Sequence, residues 1–369
     1  MEEIVDPGQF GITPDLFKEW RVPRFGNDNP QELKTKVWEW LVRSRLSGYA
    51  SAKMMAEMAG GPLPSGEGPT WSFDRFGQSV TELSDGRKIY IGGEHEDHYM
   101  PDFCIYNDVV VMGLEGGIDF YCYRKSDFPP TDFHTATLVG EKIIIIGSLG
   151  YLGERNPGVT QLYSLSLANF EIHKLESSGS SPGWIHSHVA TLSEDQTSII
   201  VTQGKVDPGG GHSLRENIED WKLNLHDCRW ERLTQRNWAQ FEVRRKDGMN
   251  IHLFEIRTML LSLMLNLNDE YQQEMSRLSE SLGYRPDAKQ IKDLYTFDFE
   301  HGDLQKDEQT YNLFFVTIQG VRVRFTEGLQ GLQVVIEGRI SAEKEGLIKR
   351  QLVDKLSALE SSPCELEEY

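Results

Sequence analysis

Two groups of histidine and acidic residues have the side-chain types that metal binding or proton transfer requires. The first group lies just after a pair of glycines and contains Glu94, His95, Asp97, His98 and Asp102. Glu94, His98 and Asp102 are spaced four residues apart, and one imidazole with two carboxylates is a suitable donor set for iron or zinc. The spacing supports a metal-site hypothesis. The alternative is an exposed, hydrogen-bonded polar loop.

The second group contains His134, His186 and His188, with Asp132 close to the first of them. His134 and His188 are 54 residues apart, and each begins a short run of strand-forming residues. If the two runs are equivalent parts of a repeated fold, the histidines stand at equivalent turns and can come together. They then belong either to a binding site or to the architecture of the turns.

Other residues near these histidines are suited to binding. Tyr151 and Arg155 belong to a long loop, and Trp184 lies shortly before the later histidines. Loops usually carry binding specificity, so we expect these three side chains to contribute to a binding surface. Stacking of a carbohydrate on Trp71, Trp184 and Tyr151 is one form that this binding could take.

No familiar catalytic motif accompanies these residues. The sequence lacks a Gly-x-Ser-x-Gly elbow, a His-Glu-x-x-His helix and a cysteine-centred nucleophile motif. The glycine-rich run at 207–211 lacks the Lys-Ser/Thr ending of a phosphate loop, so we expect a flexible loop there. We therefore predict no catalytic residue and no cofactor.

The elements that would position these residues form a threefold repeat between Trp71 and Leu233. Each copy has a polar turn, a Thr-containing strand and a short β-branched strand that runs into glycine. The copies begin at 78, 134 and 188, so the steps are 56 and 54 residues. A period near fifty with four short strands in each unit is typical of propeller blades.

The first copy resembles a kelch repeat. Residues 75–79 read Arg-Phe-Gly-Gln-Ser, and 85–93 form an apolar strand that ends in a glycine pair. Trp221 and Trp230 in the third copy have the spacing of the kelch aromatic pair. The resemblance implies β-propeller sheets, and it implies that histidines at the turn are structural, with their rings hydrogen-bonded to nearby backbone. Three units do not close a ring, so we expect a partial propeller sealed by the flanking regions. A fourth blade built from those regions is the alternative.

The flanking regions have different patterns. Residues 1–68 predict a helical lead-in, with a helix that begins at Pro30 behind an Asn29 cap. Residues 236–369 predict an α+β domain with helices, an antiparallel hairpin near Gly320 and a terminal helix. We therefore expect a mainly β chain, with kelch-like sheets at 69–235 between these two regions.

Composition limits the classes of partner. The net charge of −19 makes nucleic acid an unsuitable partner, since phosphate binding requires positive charge, and it favours a basic protein partner. Four cysteines without close spacing indicate a reducing compartment. The sequence begins without a signal-peptide pattern, and its longest apolar stretch, 259–267, is too short to span a bilayer. We expect a cytoplasmic protein.

These observations favour a non-catalytic protein-binding scaffold. An acidic immunity or inhibitor protein that neutralises a basic partner is the specific form we expect. The alternative is a metal-dependent enzyme or a small-ligand-binding propeller that uses the loop at 94–102.

Overall fold

The chain divides into two units, residues 1–235 and 236–369, and each has hydrophobic clusters of its own. The computed structural model describes residues 5–61, 68–97, 100–264, 270–308 and 310–369. Within these residues, every helix is too short or too polar to cross a membrane.

The first unit opens with helices and one short strand. After a 3-10 turn at Pro7–Phe10, these are α1 (Pro14–Trp20), β1 (Gln31–Leu33), α2 (Lys36–Ser44) and α3 (Gly48–Ala59). The hydroxyl oxygens of Thr13 and Ser47 accept backbone N–H bonds at the starts of α1 and α3, which satisfies donors that a helix start leaves free.

The prediction that a helix begins at Pro30 is wrong for the first residues of that segment. Residues Gln31–Leu33 form β1 instead, and they pair antiparallel with a strand far along the chain, from Gln31↔Cys122 to Leu33↔Phe120. The helix begins only at Lys36. Long-range strand pairing supplies hydrogen bonds that the local apolar periodicity cannot reveal.

Three sheets follow, one for each sequence repeat, and we call them the first, second and third repeat sheets. They are antiparallel except for one parallel strand pair at the edge of the third, Ser178–Gly179 with Arg229–Arg232. The strands of the first repeat are β2 (Ser79–Glu82), β3 (Lys88–Ile91), β4 (Glu94–Asp97), β5 (Met100–Ile105), β6 (Val109–Met112) and β7 (Ile118–Cys122). Those of the second are β8 (Thr135–Val139), β9 (Lys142–Ile146), β10 (Leu162–Ser166) and β11 (Ile172–Lys174). A 3-10 turn at Leu152–Glu154 lies between β9 and β10.

The strands of the third repeat are β12 (Ser178–Gly179), β13 (Trp184–His186), β14 (Val189–Leu192), β15 (Ser198–Thr202), β16 (Lys205–Asp207), β17 (Arg215–Glu216), β18 (Trp221–Asn224) and β19 (Arg229–Arg232). The sheet orders are β1-β7-β6-β3-β2, β11-β10-β9-β8 and β12-β19-β18-β15-β14. A hairpin β4-β5 and a small sheet β13-β16-β17 stand beside them. These sheets remain separate in the described part of the chain and do not close into a barrel.

Residues of β9 show why the repeat sheets stack. Ile143 and Ile145 lie in the hydrophobic cluster shared with the first repeat sheet. Ile144 and Ile146 lie in the cluster shared with the third. Successive strand residues point to opposite faces, so a continuous apolar strand is buried on both sides, as the isoleucine run predicts.

The N-terminal segment covers the other face of the first repeat sheet. Trp38 of α2 stacks on Trp71 with ring centroids 4.6 Å apart, and both rings contact Phe120 of β7 edge-on. Together with β1, these contacts bury a sheet face that would otherwise expose apolar side chains to water.

The second unit is an α+β structure. Its elements are β20 (Ala239–Arg245), α4 (Leu253–Met264), α5 (Glu270–Leu282), α6 (Ala288–Leu294), β21 (Gln305–Lys306), β22 (Leu313–Ile318), β23 (Val321–Glu327), β24 (Gly331–Ile336), α7 (Ala342–Glu360) and β25 (Cys364–Glu368). The strands form one antiparallel sheet in the order β21-β22-β23-β24-β20-β25. The hairpin β22-β23 near Gly320 and the terminal helix α7 agree with the sequence prediction, whereas β25 and β21 have no clear signal in the sequence.

Buried ionic groups of the second unit have hydrogen-bonding partners. The fully buried Glu327 accepts bonds from Arg257 and from the Tyr295 hydroxyl. Glu360 accepts bonds from the backbone N–H of His252 and lies 2.8 Å from its Nδ1. A buried carboxylate requires such partners, because an unpaired charge in a core is costly.

Candidate functional site at the loop end of the repeat sheets

The candidate site lies at the end of the repeat sheets where β2, β8 and β14 begin, which we call the loop end. The turns before these strands contain Gly77, Phe133 and Ser187, whose φ angles of 63°, 49° and 52° are all left-handed. Phe133 N donates to Gly77 O, and Ser187 N donates to Phe133 O, both at 2.8 Å. These bonds tie the three turns into one backbone ladder.

His134 and His188 repeat one side-chain contact along this ladder. His134 Nε2 lies 2.8 Å from Ser79 Oγ of the preceding repeat, and His188 Nε2 lies 2.8 Å from Thr135 Oγ1. The two histidines are 7% and 5% exposed. The turn histidines therefore connect neighbouring sheets through hydroxyl groups, rather than through the backbone contacts that we expected.

Burial keeps the histidines of the loop end neutral. It lowers the pKa of His134 to about 3, with a smaller contribution from His188, and it lowers the pKa of His188 to about 4. Burial, followed by the nearby Lys205 and Arg155, lowers the pKa of His186 to about 3. An imidazole that titrates so low is neutral at pH 7, so these rings are poorly suited to general acid–base work.

Glycines at the ends of β3 and β9 allow adjacent sheets to approach closely. A Cβ on Gly92 would lie 2.3 Å from Thr131 O, and one on Gly147 would lie 2.3 Å from Ile185 O. Both contacts are shorter than any tolerated carbon–oxygen distance. At the end of β9, a single glycine therefore allows the next sheet to come as close as it does at the glycine pair that ends β3.

The long loop after β9 is held by a buried carboxylate. Asp132, which is fully buried, accepts hydrogen bonds from Gly150 N at 2.6 Å and from Ser148 Oγ at 3.2 Å. Arg155, farther along the loop, pairs with Asp207 of β16 at 3.3 Å. The loop is thus fixed both to the turn before β8 and to the small sheet of the third repeat.

Tyr151 and Trp184 fix the same loop from two other sides. The Tyr151 hydroxyl accepts a hydrogen bond from Ile105 N at 2.9 Å, and Trp184 Nε1 donates to Leu149 O at 3.0 Å. Trp184 is only 4% exposed, and Trp71 is fully buried. Neither tryptophan has an open ring face on which a carbohydrate could stack, so the structure does not provide the platform that this hypothesis needs.

Glu94 and His95 of the first group of predicted residues lie in a hairpin rather than in a loop. Glu94 pairs with Ile105, and His95 pairs with Cys104. Glu94 also forms two backbone hydrogen bonds with Phe76. His98 lies outside the described residues, and so do the side chains of Asp97 and Asp102.

The metal hypothesis involving Glu94, His98 and Asp102 therefore stays a prediction. Within the residues whose side chains are described, no group of three metal-binding side chains comes together.

Several apolar side chains that the sequence did not single out are exposed at the loop end. Phe76 is 66% exposed, Phe103 is 43% exposed and Leu152 is 77% exposed. The Phe103 ring lies edge-on to Tyr151 at 5.8 Å. An aromatic residue inside the polar turn 75–79 was the available signal, but sequence does not reveal which side of a turn faces solvent.

Comparisons with solved structures include two distant likenesses. A fungal alcohol oxidase of the AA5 family, solved in complex with copper, matches with a TM-score of 0.31 and 13% identity over 46% of this chain and 46% of the oxidase. The protein YjhT matches with a TM-score of 0.30 and 11% identity over 51% of this chain and 79% of YjhT.

The matched part of this chain thus spans less than half of the oxidase. No family model matches the chain, and no curated protein matches it. A β-rich fold is compatible with the two likenesses, but they are too distant to support a conclusion about activity.

Proposed function

We propose that this chain is a non-catalytic protein-binding scaffold that contacts its partner through the loop end. The observation that carries the proposal is the exposure of Phe76, Phe103 and Leu152, which belong to a turn, a hairpin strand and a loop of the loop end. Exposed apolar side chains surrounded by polar groups are typical of protein interaction sites. Aromatic anchors also contribute strongly to binding energy.

The loop that carries Leu152 is pre-organised. Gly150 and Ser148 are bonded to the buried Asp132, and Arg155 is paired with Asp207. Such loops lose little conformational entropy when a partner binds, which favours affinity. The neutral, buried histidines serve this rigidity rather than a reaction.

The three repeat sheets are, in this proposal, kelch-like blades of an incomplete propeller. The support comes from the motif residue Arg75, whose guanidinium donates to Ser72 O at 2.6 Å and to Gly92 O at 2.9 Å. Arg75 also pairs with Asp108. One motif side chain thus joins the turn before β2 to the end of β3.

The partner in this proposal is a basic protein. The net charge of −19 would accelerate encounter with a positively charged surface and would make binding sensitive to salt. An immunity or inhibitor protein that neutralises a basic toxin or enzyme has this combination of an acidic surface and a rigid binding face.

The test compares two leucines with equal exposure. Leu152 at the loop end and Leu114 in the turn between β6 and β7, at the opposite end of the first repeat sheet, are each 77% exposed. The wild-type protein and the variants Leu152→Asp and Leu114→Asp are used to capture partners from a lysate of the organism that makes the protein.

We expect a partner that is retained by wild type and by Leu114→Asp, is lost with Leu152→Asp, and elutes at high salt. Equal retention of the partner by both variants would contradict binding through the loop end. Release of the partner that does not depend on salt would contradict the argument from net charge.

A further inference from the structure

The second unit has a largely apolar groove between α4 and α5, with a volume of about 540 Å³. Phe254 and Met259 line it from α4, and Tyr271 and Leu278 line it from α5. Leu329, in the turn between β23 and β24, completes the apolar lining and is 64% exposed. The groove therefore presents apolar side chains to solvent.

The apolar surface extends beyond the groove from Phe254. The Tyr311 ring is 66% exposed and lies edge-on to the Phe254 ring at 5.6 Å. Leu261 is 52% exposed and follows Phe254 by seven residues in α4, which is nearly two helical turns and places both on one side of the helix. We call Phe254, Leu261, Tyr311 and Leu329 the α4 patch. Contiguous exposed apolar side chains of this kind mark interaction surfaces.

The sequence of α4 has more apolar residues than its own unit buries. Leu253, Ile256 and Met259 lie in the hydrophobic core of the second unit, with the spacing of one helical face. Phe254 and Leu261 lie outside that core cluster. A solvated helix carries polar residues at such positions, so their apolar character indicates that a partner covers them.

The charged groups of the groove decide which partner fits. Glu255 of α4 lines it together with Glu274 and Arg277 of α5. None of the three forms an ion pair in the described part of the chain. A uniformly basic partner would bring its charge against Arg277. A surface that carries unpaired groups of both signs is instead complementary to a copy of itself turned about a two-fold axis.

We propose that this chain forms a two-fold dimer in which the groove and α4 patch of one copy pack against those of a second copy. The apolar side chains are removed from water, and Arg277 of each copy pairs with Glu255 and Glu274 of the other. All of these residues belong to the second unit, so the proposal does not rest on the scaffold function of the loop end. A dimer would carry two loop ends, which increases the avidity for a partner with repeated sites.

Sedimentation velocity of the full-length chain tests the proposal. Wild type is measured from low micromolar to high micromolar concentration beside Leu329→Asp. The control Leu114→Asp adds the same charge at an exposed leucine of the first unit. We expect wild type and the control to reach twice the 42.2 kDa mass of the chain. Leu329→Asp should weaken the dimer about a hundredfold, because each dimer buries the new charge twice, at about tenfold each.

An exchange of charges tests the pairing across the two-fold axis. Arg277→Glu and the double variant Glu255→Arg/Glu274→Arg should each dimerise poorly, since like charges then face each other. Mixing these two variants should restore the dimer, because arginine and glutamate meet again in both halves of the mixed dimer. The control Lys289→Glu makes the same charge change as Arg277→Glu at an exposed lysine outside the groove, and it should dimerise like wild type.

Three results would overturn the proposal: a wild-type chain that is monomeric at every concentration, equal dimerisation of Leu329→Asp and Leu114→Asp, or no restored dimer in the mixture. A monomeric wild type that captures a protein which Leu329→Asp alone fails to retain would assign the groove to a different partner. Circular dichroism spectra establish that each variant is folded. Partner capture with Leu152→Asp tests the loop end separately, because the groove contains no residue of the first unit.

Discussion

His188 Nε2 lies 2.8 Å from Thr135 Oγ1, and His134 makes the same contact with Ser79 one repeat earlier. In both histidines, Nδ1 is buried and has no hydrogen-bond partner in the described part of the chain. A neutral ring with its proton on Nε2 donates to the hydroxyl and leaves no N–H buried without an acceptor. These contacts connect neighbouring repeat sheets, and their contribution to stability can be measured.

Replacing His188 with alanine should lower the free energy of unfolding of the first unit by about 1 kcal/mol for the hydrogen bond, plus the cost of the cavity. In a double-mutant cycle with Thr135→Val, the two losses should not add, because they remove one shared contact. Urea unfolding followed by tryptophan fluorescence measures this, since Trp238 is the one tryptophan outside the first unit. The exposed His226→Ala serves as the control; fully additive losses would contradict a direct contact.

The first unit should lose stability on acidification. The pKa of His134 and His186 is lowered to about 3 and that of His188 to about 4, whereas an unfolded histidine titrates near 6.5. The unfolded chain therefore binds more protons between these values, and its formation is favoured as pH falls. Stability should be complete above about pH 6.5 and should decline steadily below it.

The pH effect has a specific control. In the variant His134→Asn/His188→Asn, the loss of unfolding free energy between pH 7.5 and pH 5 should be smaller than in wild type. The difference should be about 1.4 kcal/mol per histidine removed for each pH unit below about 6.5. An identical pH dependence in both proteins would mean that other groups cause the acid sensitivity.

Gly147→Ala should destabilise the first unit far more than Gly140→Ala. Both glycines have left-handed φ angles, 75° and 56°, so each substitution incurs a similar backbone cost of about 1 kcal/mol. Only at Gly147 would the new Cβ meet a carbonyl oxygen, that of Ile185 at 2.3 Å, whereas nothing lies within 4 Å at Gly140. Thermal unfolding measures the decrease in melting temperature that each substitution causes. A similar shift for both would show that the repeat sheets can move apart at little expense.

Arg75→Met should cost about 3–5 kcal/mol, because it leaves the Asp108 carboxylate buried without its partner. The two side chains are 0% and 3% exposed, and Asp108 also accepts a bond from Trp71 Nε1 at 2.7 Å. The matched change Arg87→Met breaks an exposed pair with Asp85 and should change stability far less, because water and salt screen exposed charges. Chemical denaturation measures the free energy of unfolding of both variants. An equally small decrease in both would show that water reaches the Asp108 carboxylate.

Local sequence features were enough to predict much of the fold. The isoleucine run in β9 predicted a strand buried on both faces, because side-chain direction alternates along any extended chain. Gly283, with a φ of 77°, ends α5 where the apolar periodicity stops. Asp287 caps α6 through Gln290 N at 2.9 Å. Each of these signals acts over a few residues, so it can be read without knowledge of distant neighbours.

The candidate site was less predictable. The sequence indicated His134, His186 and His188 as a group, but their function as neutral connectors depends on burial and on hydroxyl groups more than fifty residues away. It indicated Tyr151 and Trp184 as binding residues, yet Trp184 is buried against the loop that it anchors. Exposure depends on which other segments cover a residue, and local pattern does not contain that information.

The sequence by itself determined the threefold repeat, the β-branched strands and the glycines at strand ends, because propensity and periodicity are properties of neighbouring residues. Tertiary structure alone decided that Gln31–Leu33 pairs with β7 as a strand, that β25 completes the sheet of the second unit, and that Phe76 and Leu152 face solvent. These outcomes depend on which distant segments meet, and the hydrogen bonds and apolar contacts formed there outweigh local preference.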